Sequence, residues 1–108
     1  MLATKAGLDP ARLLEVLRTG TAGMYLGLAE GWLRRGFDAP IFKLALAEKD
    51  VALALDSARE LAVPMPVTAA AHQTYLQALG QGLGEQVFFA TLRAVEAGAG
   101  HEGPKVGG

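Results

Sequence analysis

The longest stretch without a helix breaker constrains the fold of this chain most. From Ile41 to Val63 the sequence contains neither glycine nor proline, and Pro64-Met65-Pro66 follows at once. The run is too long for an ordinary strand and it ends in prolines, so it predicts one helix of about 20 residues and roughly 30 Å. Hydrophobic residues make up 51% of the chain but aromatic residues only 6%, which favours packed helices over sheets. The sequence therefore predicts an all-α fold, a single helical bundle.

Capping and stop signals predict four further helices. Asp9-Pro10 is a helix start, because aspartate caps free backbone N–H groups and proline is tolerated at the first helical position. Gly20 can adopt the left-handed conformation that ends a helix. Thr21 and Thr68 are candidate caps of later helices. The predicted spans are Pro10 to Arg18, Ala22 to Arg35, Ala69 to Leu79 and Glu85 to Ala97.

Length, charge and cysteine content exclude several classes of protein. A chain of 108 residues with a net charge of −1 predicts one domain and gives no reason to expect a nucleic acid or an anionic membrane as partner. No window reaches the roughly 18 uncharged apolar residues of a membrane span. The absence of cysteine rules out disulfides and is compatible with a cytoplasmic location. Residues 98–108 are rich in glycine and predict a disordered tail after a helical domain of residues 1–97.

Lys49-Asp50, in the middle of the long helix, is the pair that could carry chemistry. The positions three and four away from either residue are all leucine or alanine, so both charges project from a mostly apolar stripe. One interpretation is structural: one charge is buried against a partner on another helix, or the lysine reaches solvent along its methylene stem. The other is a ligand cleft, with Lys49 as a donor and Asp50 as an orienting or acid–base group. Spacing alone favours the structural interpretation.

Two other features are weaker candidates. His72 shares a helix with Tyr75, but no carboxylate cluster or second histidine is well placed beside it, so we interpret it as a surface histidine rather than a metal ligand. His101 falls in the predicted tail. An apolar stripe on the second helix consists of Met24, Leu28 and Trp32. We interpret this stripe as core or subunit contact rather than a cofactor site.

Several short motifs follow one another in a specific order and spacing. They are Ala6-Gly7-Leu8-Asp9-Pro10, Leu14-Glu15-Val16-Leu17, Phe42-Lys43-Leu44-Ala45-Leu46, Lys49-Asp50-Val51-Ala52-Leu53-Ala54 and Val63-Pro64-Met65-Pro66. Over about residues 3 to 97 this pattern resembles the C-terminal domain of β-hydroxyacid dehydrogenases of the 3-hydroxyisobutyrate dehydrogenase type.

The resemblance implies both a fold and a site. The fold would be a helical domain like the C-terminal domain of 6-phosphogluconate dehydrogenase, in an enzyme whose N-terminal Rossmann domain binds NAD or NADP. The resemblance further implies that Lys49 reaches the bound cofactor, and that Phe42 and Asp50 line the active site.

The chain also departs from the family pattern. This sequence contains no glycine-rich dinucleotide fingerprint after a strand. The resemblance therefore implies that this fingerprint and the catalytic lysine lie before residue 1. Lys5 is not that lysine, since it directly precedes the Gly-Leu-Asp-Pro turn. At Gln86-Val87 relatives often carry an aspartate followed by a small residue.

Two functions of different classes follow from the sequence. The leading hypothesis is the substrate-side and oligomerisation domain of an NAD(P)-dependent oxidoreductase acting on a small β-hydroxyacid, such as hydroxyisobutyrate or tartronate semialdehyde. Such a domain would be inactive alone and would pair with a Rossmann domain and with a second copy, most simply as a homodimer. The alternative is a stand-alone helical interaction module that self-associates and has lost the reaction.

Overall fold

A computed structural model of the chain describes residues 2–20, 23, 31–38 and 41–105. Five α-helices lie in this part: α1 (Leu2–Lys5), α2 (Pro10–Arg18), α3 (Leu44–Glu60), α4 (Pro66–Gly80) and α5 (Thr91–Ala99). Residues 31–33 are also helical, and a 3₁₀ turn spans Phe88–Ala90. The same residues contain no β-strand, only one isolated antiparallel bridge between Lys43 and Val87. The predicted all-α class is confirmed.

The chain divides into two compact units. One contains Met1–Gly36 and Glu96–Gly108, and the other contains Phe37–Val95. Each is described by itself below.

The unit of Phe37–Val95 contains the hydrophobic core. Its buried members are Phe37, Leu44, Ala78, Leu83, Val87, Ala90 and Ala94. Leu44 and Val87 are its largest fully buried side chains. Helices α3 and α4 pack against each other in this unit. Ala78, Ala90 and Ala94 are three of these seven buried residues, so small side chains supply much of the core.

The start of α3 is capped by a distant segment of backbone. Its N-cap residue Lys43 makes no capping side-chain hydrogen bond. Instead the Leu44 N–H donates to the Gln86 carbonyl oxygen at 2.8 Å, and the Ala45 N–H donates to that of Gly84 at 3.0 Å. These bonds satisfy two of the N–H groups that every helix leaves free at its start. The helix therefore begins at Leu44 and not at the predicted Ile41.

The predicted last helix, Glu85 to Ala97, starts too early. Residues 84–86 form a turn and a bend in which the Gly84 and Gln86 carbonyl oxygens cap α3, and Val87 forms the bridge to Lys43. The chain then makes the 3₁₀ turn, and α5 begins only at Thr91. Local sequence pattern could not show this, because the partner of the segment lies about forty residues earlier.

Two boundaries around the prolines also differ from prediction. Helix α3 ends at Glu60, with Ala62 in the left-handed region at φ 54°. Helix α4 begins at Pro66 rather than Ala69, because proline's fixed φ suits the first helical position. Thr68 therefore lies inside the first turn and is not the N-cap, which is Met65.

The unit of Met1–Gly36 and Glu96–Gly108 begins with the short helices α1 and α2. The Asp9 side chain accepts a hydrogen bond from the Ala11 N–H at 3.0 Å, and Pro10 opens α2, as predicted. Gly20, however, is not left-handed; α2 ends through Thr19 in a right-handed conformation. Most of the predicted helix Ala22 to Arg35, including Met24 and Leu28, lies outside the described residues.

Helix α5 extends to Ala99, two residues beyond the predicted end. Gly100 follows at φ 56°, and the Gly103 N–H donates to a Glu96 carboxylate oxygen at 2.7 Å. The disordered tail of residues 98–108 stays a prediction, and its residues 106–108 lie outside the described part. No helix in the described ranges is both long and apolar enough to cross a membrane.

Candidate functional site

The candidate site lies on the exposed face of α3. Leu44, Ala47 and Ala58 turn towards the interior of the unit. The opposite face is exposed along Leu46, Lys49, Asp50, Leu53, Ala54 and Ser57. Leu46 is 45% exposed and Leu53 is 54% exposed. We call this set the open face of α3; it brings two of the three predicted site residues together.

Lys49 and Asp50 both point into solvent on the open face. Within the described part of the chain, no hydrogen bond or ion pair involves either side chain. Among these residues neither charge has a buried partner, so that form of the structural interpretation does not hold, whereas its other form, a lysine that reaches solvent along its methylene stem, agrees with the exposure of Lys49. An exposed ammonium and an exposed carboxylate, both without competing protein partners among these residues, can each bind a polar group of a ligand.

Phe42 lies just before α3 and is 39% exposed. Its ring contacts Phe88 at 6.2 Å between centroids, Phe88 contacts Phe89 at 5.6 Å, and Phe89 contacts Phe37 at 6.0 Å. The Phe88 N–H also donates to the Phe42 carbonyl oxygen at 2.8 Å. All four phenylalanines of the chain thus form one series of edge or tilted contacts. This series anchors Phe42 to the core while leaving part of its ring open to a ligand.

His72 is bonded to a neighbouring helix rather than lying free on the surface. Its Nε2 atom lies 2.7 Å from a Glu48 carboxylate oxygen, and the two side chains are only 18% and 19% exposed. The prediction of a surface histidine is therefore wrong. The pair joins α4 to α3 next to Lys49. No group of three potential metal ligands occurs among residues 2–20, 23, 31–38 and 41–105.

The comparison with known families assigns the chain. A family model described as "NAD-binding of NADP-dependent 3-hydroxyisobutyrate dehydrogenase" matches residues 1–95. The chain belongs to this family. The NAD(P)-linked dehydrogenase family that the motifs suggested is therefore confirmed, and the cofactor of the family is NAD or NADP.

Individual relatives agree with the assignment. The chain is 35% identical over 104 residues to 2-hydroxy-3-oxopropionate reductase of Escherichia coli (strain K12), an alignment that covers 94% of this chain and 35% of that protein. It is 38% identical over 98 residues to glyoxylate/succinic semialdehyde reductase 1 of Arabidopsis thaliana, covering 89% and 34%. It is 45% identical over 62 residues to 3-sulfolactaldehyde reductase of Escherichia coli (strain K12), covering 57% and 21%. The chain spans about a third or less of the length of these relatives.

The structure shows what surrounds Gln86-Val87, where the sequence departs from the family pattern. Val87 is buried in the core. The Gln86 side-chain amide donates to Asp38 at 3.2 Å and accepts from Arg93 at 3.4 Å. The guanidinium of Arg93 also lies 5.9 Å from the ring centre of Phe37. A neutral amide here can bond an acid and a base at once, which a carboxylate could not do beside Asp38.

Sequence reasoning missed the ion pair of Arg35 and Glu96. The guanidinium donates to both carboxylate oxygens, at 2.6 and 2.9 Å, and the two side chains are 18% and 9% exposed. The hydrogen bond from Arg35 to Glu96 raises the pKa of the guanidinium, against a smaller lowering by burial. The two residues are about sixty positions apart, so no local pattern could have paired them.

Trp32 is 37% exposed and is not among the buried core residues. The alternative that placed Trp32 in the core therefore does not hold. Its role in subunit contact stays a prediction.

Proposed function

We propose that this chain is the helical substrate-side and oligomerisation part of an NAD(P)-dependent oxidoreductase acting on a small β-hydroxyacid, of the 3-hydroxyisobutyrate dehydrogenase type. The proposal includes inactivity of the chain alone, a homodimer and a cytoplasmic location. The family assignment over residues 1–95 supports it. The names of the relatives support the substrate class, because they describe reductases of 2-hydroxy-3-oxopropionate, glyoxylate or succinic semialdehyde, and 3-sulfolactaldehyde.

The observation that carries the proposed site is the unpaired Lys49-Asp50 on the open face of α3. The Lys49 ammonium is available to an electron-rich group of the dinucleotide. The Asp50 carboxylate leaves the helix about 100° further round, so it can serve a different part of the same cleft. We assign it to positioning the family's catalytic lysine, which the resemblance places before residue 1.

The residues of this chain fit one wall of a dinucleotide site rather than a whole site. An exposed lysine and a half-exposed phenylalanine offer a cation and an apolar ring. When bound, the nicotinamide supplies the acceptor or donor of the hydride. Phe42 would exclude water beside it, held in place by its contact with Phe88.

The test separates a functional pair from a structural one. In a full-length protein containing this chain, we expect Lys49→Ala to weaken cofactor binding by roughly ten- to a hundredfold, since a charge-assisted hydrogen bond contributes about 1.5–3 kcal/mol. Asp50→Asn should lower kcat more than it changes the cofactor Kd. Binding titrations, steady-state kinetics and melting temperatures are measured for both variants.

Two changes on the same helix serve as matched controls. Arg59→Ala removes a positive charge and Asp56→Asn removes a negative one, each at an exposed position of α3. We expect both controls to leave cofactor binding and kcat within about twofold, because neither side chain replaces Lys49 or Asp50 in the cleft. Unchanged cofactor binding and kcat in Lys49→Ala and Asp50→Asn, together with a lowered melting temperature, would overturn the functional assignment.

A further inference from the structure

A mostly buried acid and base join α3 to α4 beside the open face. Glu48 lies on α3 directly before Lys49, and His72 lies in the middle of α4. The His72 Nε2 atom is 2.7 Å from a Glu48 carboxylate oxygen. Hydrogen bonds to a carboxylate are shorter and stronger than those between neutral groups. The proposed site uses Lys49 and Asp50 and leaves this strong contact without a role.

The pair is the one polar link between these two helices in the described part of the chain. No other side-chain hydrogen bond or ion pair there joins α3 to α4. The buried residues of the two helices are all apolar: Leu44, Ala47, Ala58 and Ala78. Contacts between apolar side chains have no preferred direction, whereas a hydrogen bond requires a narrow range of distance and angle. The pair therefore fixes how α3 is rotated against α4.

Glu48 has no alternative partner on its own helix. Ion pairs within a helix form between residues three or four apart. At those distances from Glu48 all residues are apolar: Leu44, Ala45, Val51 and Ala52. Without His72, this mostly buried carboxylate would have to turn towards water. We expect α3 to rotate with it, because the backbone caps hold only the first turn of the helix and no other polar contact with α4 opposes the movement.

The rotation of α3 determines where Lys49 points. Consecutive residues leave an α-helix about 100° apart, so Lys49 keeps one direction on the open face as long as Glu48 is bonded to α4. Residues next to each other in sequence do not face each other on a helix. The Glu48 carboxylate thus sets the direction of Lys49 without occupying its ammonium group.

We infer that Glu48 and His72 are a positioning pair, which holds α3 in the rotation that directs Lys49 at the cofactor. Neither is a catalytic residue, because both side chains lie in the contact between the helices and not on the open face. The cofactor as the ligand of Lys49 rests on the proposed function. The hold of the pair on α3 does not rest on it and is tested separately.

The hydrogen bond needs a donor at position 72 rather than a charge. Since a carboxylate only accepts, the His72 Nε2 atom carries the hydrogen. Nδ1 has no partner among the described residues and is not buried, so the bond forms whether or not Nδ1 is protonated. A glutamine amide supplies the same kind of donor, which makes His72→Gln the conservative change. The double variant Glu48→Leu/His72→Leu removes the bond and leaves an apolar contact in its place.

Spin labels on the isolated chain measure the rotation of α3. The chain has no cysteine of its own, so Leu46→Cys and Val67→Cys attach one label to each helix at an exposed position. Pulsed electron resonance then gives the distribution of distances between the labels. We expect the double leucine variant to widen this distribution by about twofold, because apolar contacts allow several rotations, and His72→Gln to leave it unchanged. An equally narrow distribution in the double leucine variant would overturn the inference.

Cofactor binding by a full-length protein containing this chain tests the consequence for Lys49. We expect the double leucine variant to raise the cofactor Kd by about fivefold or more at a nearly unchanged melting temperature, since no polar group is left unpaired. His72→Gln should keep the Kd within about twofold of the original. In a Lys49→Ala background, the double leucine change should alter the Kd by less than about twofold, because the pair acts through Lys49.

Glu60→Leu/Gln77→Leu is the matched control, since it places two leucines at exposed positions of the same helices. It should change neither the distance distribution nor the Kd. A role in stability alone would lower the melting temperature and leave the Kd unchanged, which would contradict the inference. Equal effects on the Kd with and without Lys49 would also contradict it. If Lys49→Ala leaves the Kd unchanged while the spin labels respond as expected, the proposed function fails and the positioning of α3 by the pair stands.

Discussion

At the scale of single residues, most C-terminal helix ends in the described part of this protein have the same backbone conformation. At five helix ends in the described residues, one residue is left-handed and two backbone hydrogen bonds close the turn. The left-handed residues are Gly7, Arg35, Ala62, Gly82 and Gly100. These are Schellman motifs, in which glycine is the usual residue because a Cβ atom strains the left-handed conformation. Arg35 and Ala62 therefore carry a strain that the glycines avoid.

Replacing Ala62 by glycine should stabilise the protein. The residue is exposed and its methyl group is not in the core, so the change removes strain without removing a buried contact. We expect the free energy of unfolding to rise by about 0.5–1 kcal/mol, after subtracting the greater freedom of glycine in the unfolded chain. Thermal and urea unfolding measure this rise in the free energy of unfolding. A lower melting temperature for Ala62→Gly would contradict this account.

Arg35→Gly should have the opposite effect, although it relieves the same backbone strain. Here the side chain forms the two-pronged ion pair with Glu96, which is 9% exposed and would remain without that partner. We expect a loss of about 2–3 kcal/mol in the free energy of unfolding. Arg35→Lys keeps the charge but not the forked geometry and should lie between the two. A neutral or stabilising Arg35→Gly would show that the pair contributes little.

At the scale of elements, α3 has two faces with different roles. One is anchored by Leu44, which is fully buried, and the other is the open face with Leu46 and the charged pair. The face with Leu44 contributes to the stability of the fold, and the open face determines what α3 binds. Substitutions on the two sides should therefore affect different measurements.

Truncating two leucines of α3 tests this division. Leu44→Ala should lower the free energy of unfolding by about 3 kcal/mol, because it opens a cavity in the core. Leu46→Ala, two residues along and 45% exposed, should cost less than about 1 kcal/mol. Chemical unfolding of both variants gives the comparison. Equal losses would mean that the exposed leucine packs as tightly as the buried one.

The sequence predicted the elements better than their ends. The run without glycine or proline predicted α3, and Asp9-Pro10 predicted the start of α2, because those signals are local. The non-helical segment 84–87 and the pairing of Glu48 with His72 depend on partners distant along the chain. The charged pair on α3 was predicted from spacing, but its exposure depends on which face the core covers.

At the scale of the whole molecule, the chain spans about a third of the length of 2-hydroxy-3-oxopropionate reductase and of glyoxylate/succinic semialdehyde reductase 1, two relatives that align with most of it. Its candidate residues Lys49 and Asp50 lie on one exposed helix face, with Phe42 just before that helix, and they do not form an enclosed cleft. A hydride transfer needs the cofactor, the substrate and a proton donor held together in a site from which water is excluded. One face cannot provide this.

We therefore expect no dehydrogenase or reductase activity from the isolated 108 residues. The assay follows absorbance of the reduced nicotinamide with NAD, NADP and their reduced forms, together with short hydroxyacids and the corresponding semialdehydes. A full-length relative serves as the positive control, and mass spectrometry verifies the purity of the chain. Turnover above background from this material would refute the prediction.

The capping of α3 by residues 84–86 has a consequence for synthesis on the ribosome. Leu44 and Ala45 leave the exit tunnel about forty residues before Gly84 and Gln86, whose carbonyl oxygens accept hydrogen bonds from their N–H groups. Until then the first turn of α3 has no side-chain cap to hold it, and Phe42 beside it lacks its contact with Phe88. The nascent chain can thus form the middle of α3 early, while the end nearest Phe42 is completed only when the later segment returns to it.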